Sequence, residues 1–170
     1  MRVGPKGSKD EDCRLMQIAI EQAKLGELMP GAGEVGCVIA LPGGLLVKAH
    51  NEAKLRCDPT AHAEIVAIRK ATATLQTTEL RGCTLYCTLQ PCSMCTAACI
   101  WAKIARIVFG ATRNDVHSMY FDAKHLNAAD LVNDAYRDDI EIVGGVLSQE
   151  CSRFYYQPKD RPPLEEQSNV

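Results

Sequence analysis

The stretch "CTLYCTLQPCSMC", residues 83–95, joins a β-strand pattern directly to the start of a helix. Its first seven residues alternate as a strand does, and Pro91 can end that strand and open a helix. Cys92 and Cys95 then flank the first helical turn, where the helix dipole stabilises thiolates. Taken alone, thiols at this spacing can form a redox pair, half of a metal site, or two core residues.

A second stretch, "DPTAHAEIVAIR" at residues 58–69, supplies what the thiols lack. His62 and Glu64 open a predicted helix that Thr60 is placed to cap. Helices that follow parallel strands begin at the same edge of a sheet, so His62 can meet the two thiols. Three such ligands leave the fourth position of tetrahedral zinc open for water, which is the catalytic pattern. Glu64 could take the proton from that water and pass it to a leaving group.

The remaining patterns predict one α/β domain. An opening helix, "CRLMQIAIEQAKLGEL", precedes a hairpin of two strands around "PGG", and residues 51–61 are predicted to be a loop. Helices and strands then alternate to the end, in the order α-β-β-α-β-α-β-α-β-α. This order predicts a three-layer α/β/α fold with a mixed sheet of about five strands and helices on both faces.

The composition indicates a soluble globular protein of one domain, with 46% hydrophobic and 24% charged residues in 170. No apolar run approaches the ~20 residues that a membrane helix needs, and nine cysteines without an export signal suit a reducing cytoplasm. We expect a flexible N-terminus over residues 1–11, the folded domain over 12–157, and a polar, proline-rich, disordered tail over 158–170.

Over residues 12–157 the chain resembles the cytidine deaminase superfamily, and within it the branch of tRNA adenosine, guanine and cytosine deaminases. "DPTAHAEIVAIR", "CTLYCTLQPCSMC" and "ARIVFGA" carry this resemblance. It implies the cytidine-deaminase-like fold, bound Zn²⁺, and hydrolysis of an exocyclic amine on a base to a carbonyl with release of ammonia. It assigns the zinc ligands and the proton shuttle: His62, Cys92, Cys95 and Glu64.

The resemblance also implies contacts to the substrate. Asn51 matches an asparagine that holds the substrate ring, and backbone N–H groups near Ala63 and Cys92 would stabilise developing negative charge. Gln90 departs from the family, since many relatives carry Glu there. The segment "HSMYFDAKHL" matches no subgroup, and its Tyr120 and Phe121, with Trp101, are candidates for holding the ring. Packing and surface roles are the alternative for Tyr120 and Phe121.

Charge favours a small substrate. The net charge is −2, and residues 111–143 carry seven acidic against three basic side chains, a local charge of −4. A tRNA wobble-adenosine deaminase, the alternative, needs basic residues for phosphates. The candidates for that role are Lys54, Arg56, Arg69, Lys70, Lys103 and Arg106. We therefore expect a free nucleobase or nucleoside as substrate.

Two further expectations concern assembly and activity. A non-catalytic, zinc-stabilised binding module is a third hypothesis, but a purely structural site has no need of Glu64 and would close its fourth position. The predicted helix that follows Cys92 carries an apolar surface around Ala97, Ile100 and Trp101. Together with the family's habit of pairing, this surface predicts a homodimer.

Overall fold

A computed structural model describes residues 7–167 and 169 of the chain. Its sheet has five strands in the order β2-β1-β3-β4-β5. Strand β1 pairs antiparallel with both β2 and β3, whereas β3, β4 and β5 are parallel. The predicted mixed five-stranded sheet is confirmed. The strands are β1 Gly33–Leu41, β2 Gly44–Asn51, β3 Thr84–Leu89, β4 Arg106–Ala111 and β5 Glu141–Val143.

The helices fall where periodicity places them, with two kinds of addition. A short helix interrupts the stretch predicted to be a loop, and two 3-10 turns follow later in the chain. The first helix also begins earlier than its apolar pattern, because the Ser8 side chain accepts a hydrogen bond from the backbone N–H of Glu11. The helices are α1 Lys9–Leu28, α2 Ala53–Arg56, α3 Ala63–Leu75, α4 Ser93–Trp101, α5 Ala128–Asp134 and α6 Ser148–Ser152, and the 3-10 turns are Ser118–Tyr120 and Leu164–Glu166.

Two hydrophobic cores lie on opposite faces of the sheet, which confirms the three-layer arrangement. Along β1, Cys37 and Ile39 join the core formed with α3, α4 and α5, while Val38 and Ala40 join the core formed with α1 and α6. This alternation follows from the two-residue period of a strand. No helix within residues 7–167 combines the length and the hydropathy needed to cross a membrane.

A buried ion pair ties α1 to the sheet. Arg106 on β4 donates two hydrogen bonds to the carboxylate of Asp12, at 2.6 and 2.8 Å, and both side chains are almost fully buried. The Tyr86 hydroxyl donates to the same carboxylate at 2.9 Å. Arg106 is thus buried in an ion pair, and it is not available to bind phosphates.

The start of α3 corrects one prediction. Thr60 does not cap this helix, because its backbone N–H and its hydroxyl both donate to Oδ1 of Asp58, at 2.8 and 2.6 Å. His62 is the N-cap residue instead, and its side chain makes no capping bond. The imidazole is therefore free for other contacts.

The predicted last strand is also shorter than expected. Of residues 140–147, only Glu141–Val143 pair with β4, because Gly145 has a φ of +87° and turns the chain. Residues 1–6 of the predicted flexible N-terminus, and 168 and 170 of the predicted tail, lie outside the described residues. The domain boundaries stay a prediction.

Candidate active site

Three ligating side chains meet at one edge of the sheet. Strands β2 and β3 both run antiparallel to β1, so α3 and α4, which follow them, begin at the same edge. The Nδ1 atom of His62 lies 3.7 Å from Sγ of Cys92 and 3.6 Å from Sγ of Cys95. Within the described residues these three form the single group of at least three His, Cys, Asp or Glu side chains placed to hold a metal ion. Tetrahedral zinc with bonds of about 2.0–2.3 Å separates its ligand atoms by a similar amount.

The two thiols differ in acidity. Hydrogen bonding with Cys95, and then with His62, lowers the pKa of Cys92 to about 5. The same hydrogen bond, together with burial, raises the pKa of Cys95 well above its usual value. The pair thus shares one negative charge beside an imidazole, and such a soft N/S donor set fits zinc. Zinc bound by such a set lowers the pKa of a water molecule to about 7.

Glu64 lies in the first turn of α3 and is only 4% exposed. Burial is the main cause that raises the pKa of its carboxyl group, and the negative charge of Cys92 adds to it. A raised pKa brings the group towards neutral pH, where it can both accept and release a proton. Three buried thiols interact electrostatically with Glu64: Cys37, Cys87 and Cys99. Burial is the main cause that raises their pKa values, and the charge of Glu64 raises them further.

A cavity of about 380 Å³ opens beside the three ligands. This volume lies in the range of small-molecule sites, about 300–1,000 Å³. Six of the residues predicted for the site line it: Asn51, His62, Ala63, Glu64, Cys92 and Tyr120. Ala63 is the first residue of α3, so its N–H has no partner within the helix and is available to a bound oxygen atom.

Asn51 and Tyr120 are held in place by backbone contacts. Oδ1 of Asn51 accepts a hydrogen bond from the N–H of Ala53 at 3.0 Å, which leaves its amide nitrogen next to Gly33. A Cβ atom at position 33 would lie 2.9 Å from that nitrogen, so glycine allows the close approach. The Tyr120 hydroxyl accepts from the N–H of Tyr156 at 3.1 Å.

The other two aromatic candidates lie elsewhere. Trp101 is 80% exposed at the end of α4, and Phe121 is 3% exposed beneath the guanidinium group of Arg113, 4.4 Å from its ring centroid. Neither residue lines the cavity. Their part in ring binding stays a prediction, and the cavity lends it no support.

Two acidic residues of the rim were not predicted from the sequence. Glu34 on β1 and Glu166 in the last 3-10 turn both line the cavity. Glu166 accepts a hydrogen bond from the Tyr156 hydroxyl at 2.6 Å, which places this part of the predicted tail at the site. No local sequence pattern marks either residue, since both reach the cavity through tertiary packing.

Comparison with known proteins agrees with this geometry. The model of the "Cytidine and deoxycytidylate deaminase zinc-binding region" matches residues 9–111. The chain belongs to this deaminase family. A tRNA-specific adenosine deaminase of Bacillus subtilis (strain 168) is 34% identical over 145 residues, which cover 83% of this chain and 84% of that protein.

Two further similarities are to a guanine deaminase and to a solved structure. Guanine deaminase of Bacillus subtilis (strain 168) is 38% identical over 90 residues, which cover 53% of this chain and 58% of that protein. A solved structure from work on tRNA:A34 deaminases superposes with a TM-score of 0.70 at 26% identity, covering 83% of this chain and 98% of that one. The chain is thus a zinc-dependent hydrolytic deaminase that converts an exocyclic amine of a nucleobase or nucleoside to a carbonyl and releases ammonia.

The family match ends at Ala111, the last residue of β4. The three ligating side chains and Glu64 all lie before that point. Tyr120 and Glu166, which help to enclose the cavity of this deaminase, lie after it.

Proposed function

We propose that this deaminase acts on a free nucleobase or nucleoside, with His62, Cys92 and Cys95 as zinc ligands and Glu64 as the proton shuttle. The observation that carries the choice of substrate is the pairing of the six basic side chains that the sequence offers for tRNA phosphates. Four of the six have acidic partners within the fold: Arg56, Arg69, Lys70 and Arg106.

Three of these basic side chains lie beside carboxylates of the segment between β2 and α3. Arg56 is bonded to Glu52, and the Lys70 ammonium group lies 4.0 Å from the same carboxylate. Arg69 lies 3.2 Å from Asp58. Affinity for nucleic acid comes from cations that replace counterions on phosphates, and each neighbouring carboxylate lowers the net positive charge that this surface offers to them.

The rim of the cavity adds negative charge. Glu34 and Glu166 line it, and Lys54 is the single basic residue among the described lining residues. Such a rim repels a phosphate backbone, but it tolerates an uncharged base. The enclosed volume of about 380 Å³ suits one small heterocycle.

The described side chains then divide the work of hydrolysis. Asn51 and Tyr120 hold the ring, so that the carbon bearing the amine faces Glu64. Glu64 accepts the proton of the attacking water and delivers it to the amine, so the C–N bond breaks and ammonia leaves. The N–H of Ala63 stabilises the negative charge that develops at the attacked carbon's oxygen.

The second candidate is the wobble adenosine of a tRNA. The observation in its favour is the similarity to the tRNA-specific adenosine deaminase, which covers 83% of this chain. Of the six basic candidates, Lys54 and Lys103 have no ion-pair partner in the part of the chain that the structure describes, and they could provide phosphate contacts for such a substrate.

Ammonia release decides between the two substrates. Purified protein is incubated with a panel of free bases and nucleosides, and separately with tRNA, at 50 and at 300 mM salt. We expect turnover of at least one small substrate with less than about twofold change between the two salts. Inosine at a tRNA wobble position, without ammonia from any small substrate, would contradict the proposal.

We also infer a homodimer formed through the outer face of α4. Trp101 is 80% exposed there, and Ala97 and Ile100 are partly exposed beside it, so the face presents apolar surface that a second copy could cover. Light scattering at micromolar concentration should give about twice the chain mass of 18.6 kDa. Trp101→Glu should lower this mass to that of one chain, and a monomeric wild type would refute the inference.

A cytoplasmic location belongs to the same proposal. All nine cysteines are free thiols, including four that are partly or fully exposed or lie at the metal site: Cys13, Cys57, Cys92 and Cys95. Thiols in this state suit a reducing compartment. Fractionation of cells that express the full chain should recover it with cytoplasmic markers, and recovery with exported proteins would argue against this location.

A further inference from the structure

Gln90 occupies the link between the end of β3 and the metal-binding turn. It follows Leu89 directly and lies two residues before Cys92. Its backbone N–H donates to the carbonyl of Ala111 at 2.8 Å, so the link is fixed against the neighbouring strand. The residue is only 7% exposed, and it lines the cavity.

One end of the Gln90 side chain is occupied. Its Oε1 accepts a hydrogen bond from the backbone N–H of Arg113 at 3.1 Å. The Arg113 side chain is itself anchored, because it stacks on Phe121 and donates to the carbonyls of Ala123 and Leu126, both at 2.7 Å. The position of Oε1 is therefore set by a rigid donor.

This contact also settles which end of the amide is which. A backbone N–H can only donate, so the atom facing it must be the oxygen, and the nitrogen must occupy the other corner of the side chain. The nitrogen has no hydrogen-bond partner within residues 7–167 and 169. It is not one of the fully buried polar atoms that lack a partner, so it reaches the cavity, where water or a ligand can accept its hydrogen bond.

We infer that Gln90 is a specificity-determining residue whose amide N–H donates a hydrogen bond to a ring nitrogen of the bound base. This inference rests on the proposed function and names one contact of the same site. The acceptor is a ring nitrogen with a lone pair in the plane of the base, and a C–H at the same place offers none.

The identity of the residue decides what the base must present. A glutamate at this position, with one carboxylate oxygen held by the N–H of Arg113, would turn its second oxygen, an acceptor, to the cavity. Gln90 turns a donor there instead. The side chain therefore selects for an acceptor on the base where a glutamate would select for a donor.

The test compares Gln90→Glu and Gln90→Met on matched substrates. The parent is the free base or nucleoside that the wild type turns over, and its deaza analogues replace each lone-pair ring nitrogen in turn by C–H. Should no small substrate react, which would refute the proposed function by itself, the same series is placed at the wobble position of an anticodon stem-loop. Gln90→Glu keeps the acceptor for Arg113 and replaces the donor by a negatively charged acceptor, and Gln90→Met removes the donor without adding a charge.

We expect Gln90→Glu to lower kcat/KM for the parent about tenfold. With one analogue, the one that lacks the acceptor, it should change kcat/KM less than about twofold, because the contact is already absent. Gln90→Met should show the same selectivity and also a lower Tm, since it loses the bond to Arg113. Zinc content and Tm check that each variant is folded.

Two results would overturn the inference. Gln90→Glu could retain wild-type kcat/KM for the parent, or it could lose the same factor on the parent and on every analogue. If Gln90→Glu did not fold, the ratios measured with Gln90→Met would decide, because that variant lacks the donor as well.

Discussion

The two walls of the cavity differ in how the chain builds them. The metal wall consists of His62, Glu64, Cys92 and Cys95, which lie in two short motifs at the starts of α3 and α4. The rim wall consists of Glu34, Tyr120 and Glu166, which come from β1 and from the chain beyond β4. On our proposal, the metal wall provides the reaction, while the rim wall and Gln90 choose the base.

Removal of a metal ligand should break the metal wall completely. We expect Cys92→Ala to lose most of its zinc and to show no measurable turnover, since two ligands hold zinc poorly. Zinc is measured by elemental analysis of dialysed protein. The control is Cys99→Ala, which removes a buried thiol one helical turn from Cys95 and should keep its zinc. Full zinc occupancy in Cys92→Ala would exclude this residue as a ligand.

Loss of the proton shuttle should leave the zinc site intact but should slow the reaction. Glu64→Gln keeps the size of the side chain and removes its acid–base function, so kcat should fall by a factor of about 10² or more. Zinc content should be unchanged. Glu27→Gln, on the exposed side of α1, is the matched control and should retain full turnover. Near-normal kcat in Glu64→Gln would show that the Glu64 carboxylate only interacts favourably with the helix dipole and takes no part in the reaction.

A change in the rim wall should affect binding more than chemistry. Tyr120→Phe removes a hydroxyl group from the cavity and the acceptor of the Tyr156 N–H. We expect KM to rise about three- to tenfold while kcat changes less than about twofold, because one hydrogen bond is lost. Tyr136→Phe, on a fully exposed ring, should change neither constant. A fall in kcat with constant KM would place Tyr120 with the metal wall instead.

The smallest effect concerns a histidine on β2, one residue before Asn51. Both ring nitrogens of His50 on β2 are buried without a hydrogen-bond partner among the described residues. Burial lowers the pKa of this imidazole, and nearby Lys70 adds to the shift, against the opposing charge of Glu52. Below about pH 6.5 the unfolded chain therefore binds a proton at this histidine more readily than the folded chain does. The free energy of unfolding thus decreases as the pH is lowered.

The free energy of unfolding at pH 7.5 and 5.5 checks this dependence. His50→Gln should lose less stability between these two pH values than the wild type does. His125→Gln, which removes an exposed imidazole, should follow the wild type. Equal pH slopes for wild type and His50→Gln would show that His50 titrates alike in both states.

The sequence predicted the metal wall because that wall depends on local geometry. Pro91 and the helix that follows it set the spacing of Cys92 and Cys95, and the parallel direction of β2 and β3 brings His62 to the same edge. The periodicity of strands and helices similarly predicted the sheet and its layers. These features depend on neighbours within a few residues or on general rules of topology.

The rim could not be predicted because tertiary contacts decide which way each side chain faces. Phe121 lies under Arg113 and Tyr120 lines the cavity, although they are adjacent in an irregular segment. Trp101 is exposed because α4 ends there. Asp58 competes for the hydroxyl of Thr60, which a cap pattern alone does not show. Glu166 reaches the site from a stretch without any periodic pattern.

X-ray absorption at the zinc edge of the purified protein tests the central claim most directly, because it counts the ligands of the metal wall. We expect two sulfur ligands at about 2.3 Å and two nitrogen or oxygen ligands at about 2.0–2.1 Å, from two cysteines, one histidine and one open position. Cys92→Ala should not retain this signal, whereas Cys99→Ala should. Three or four sulfur ligands, or none, would contradict the proposed site.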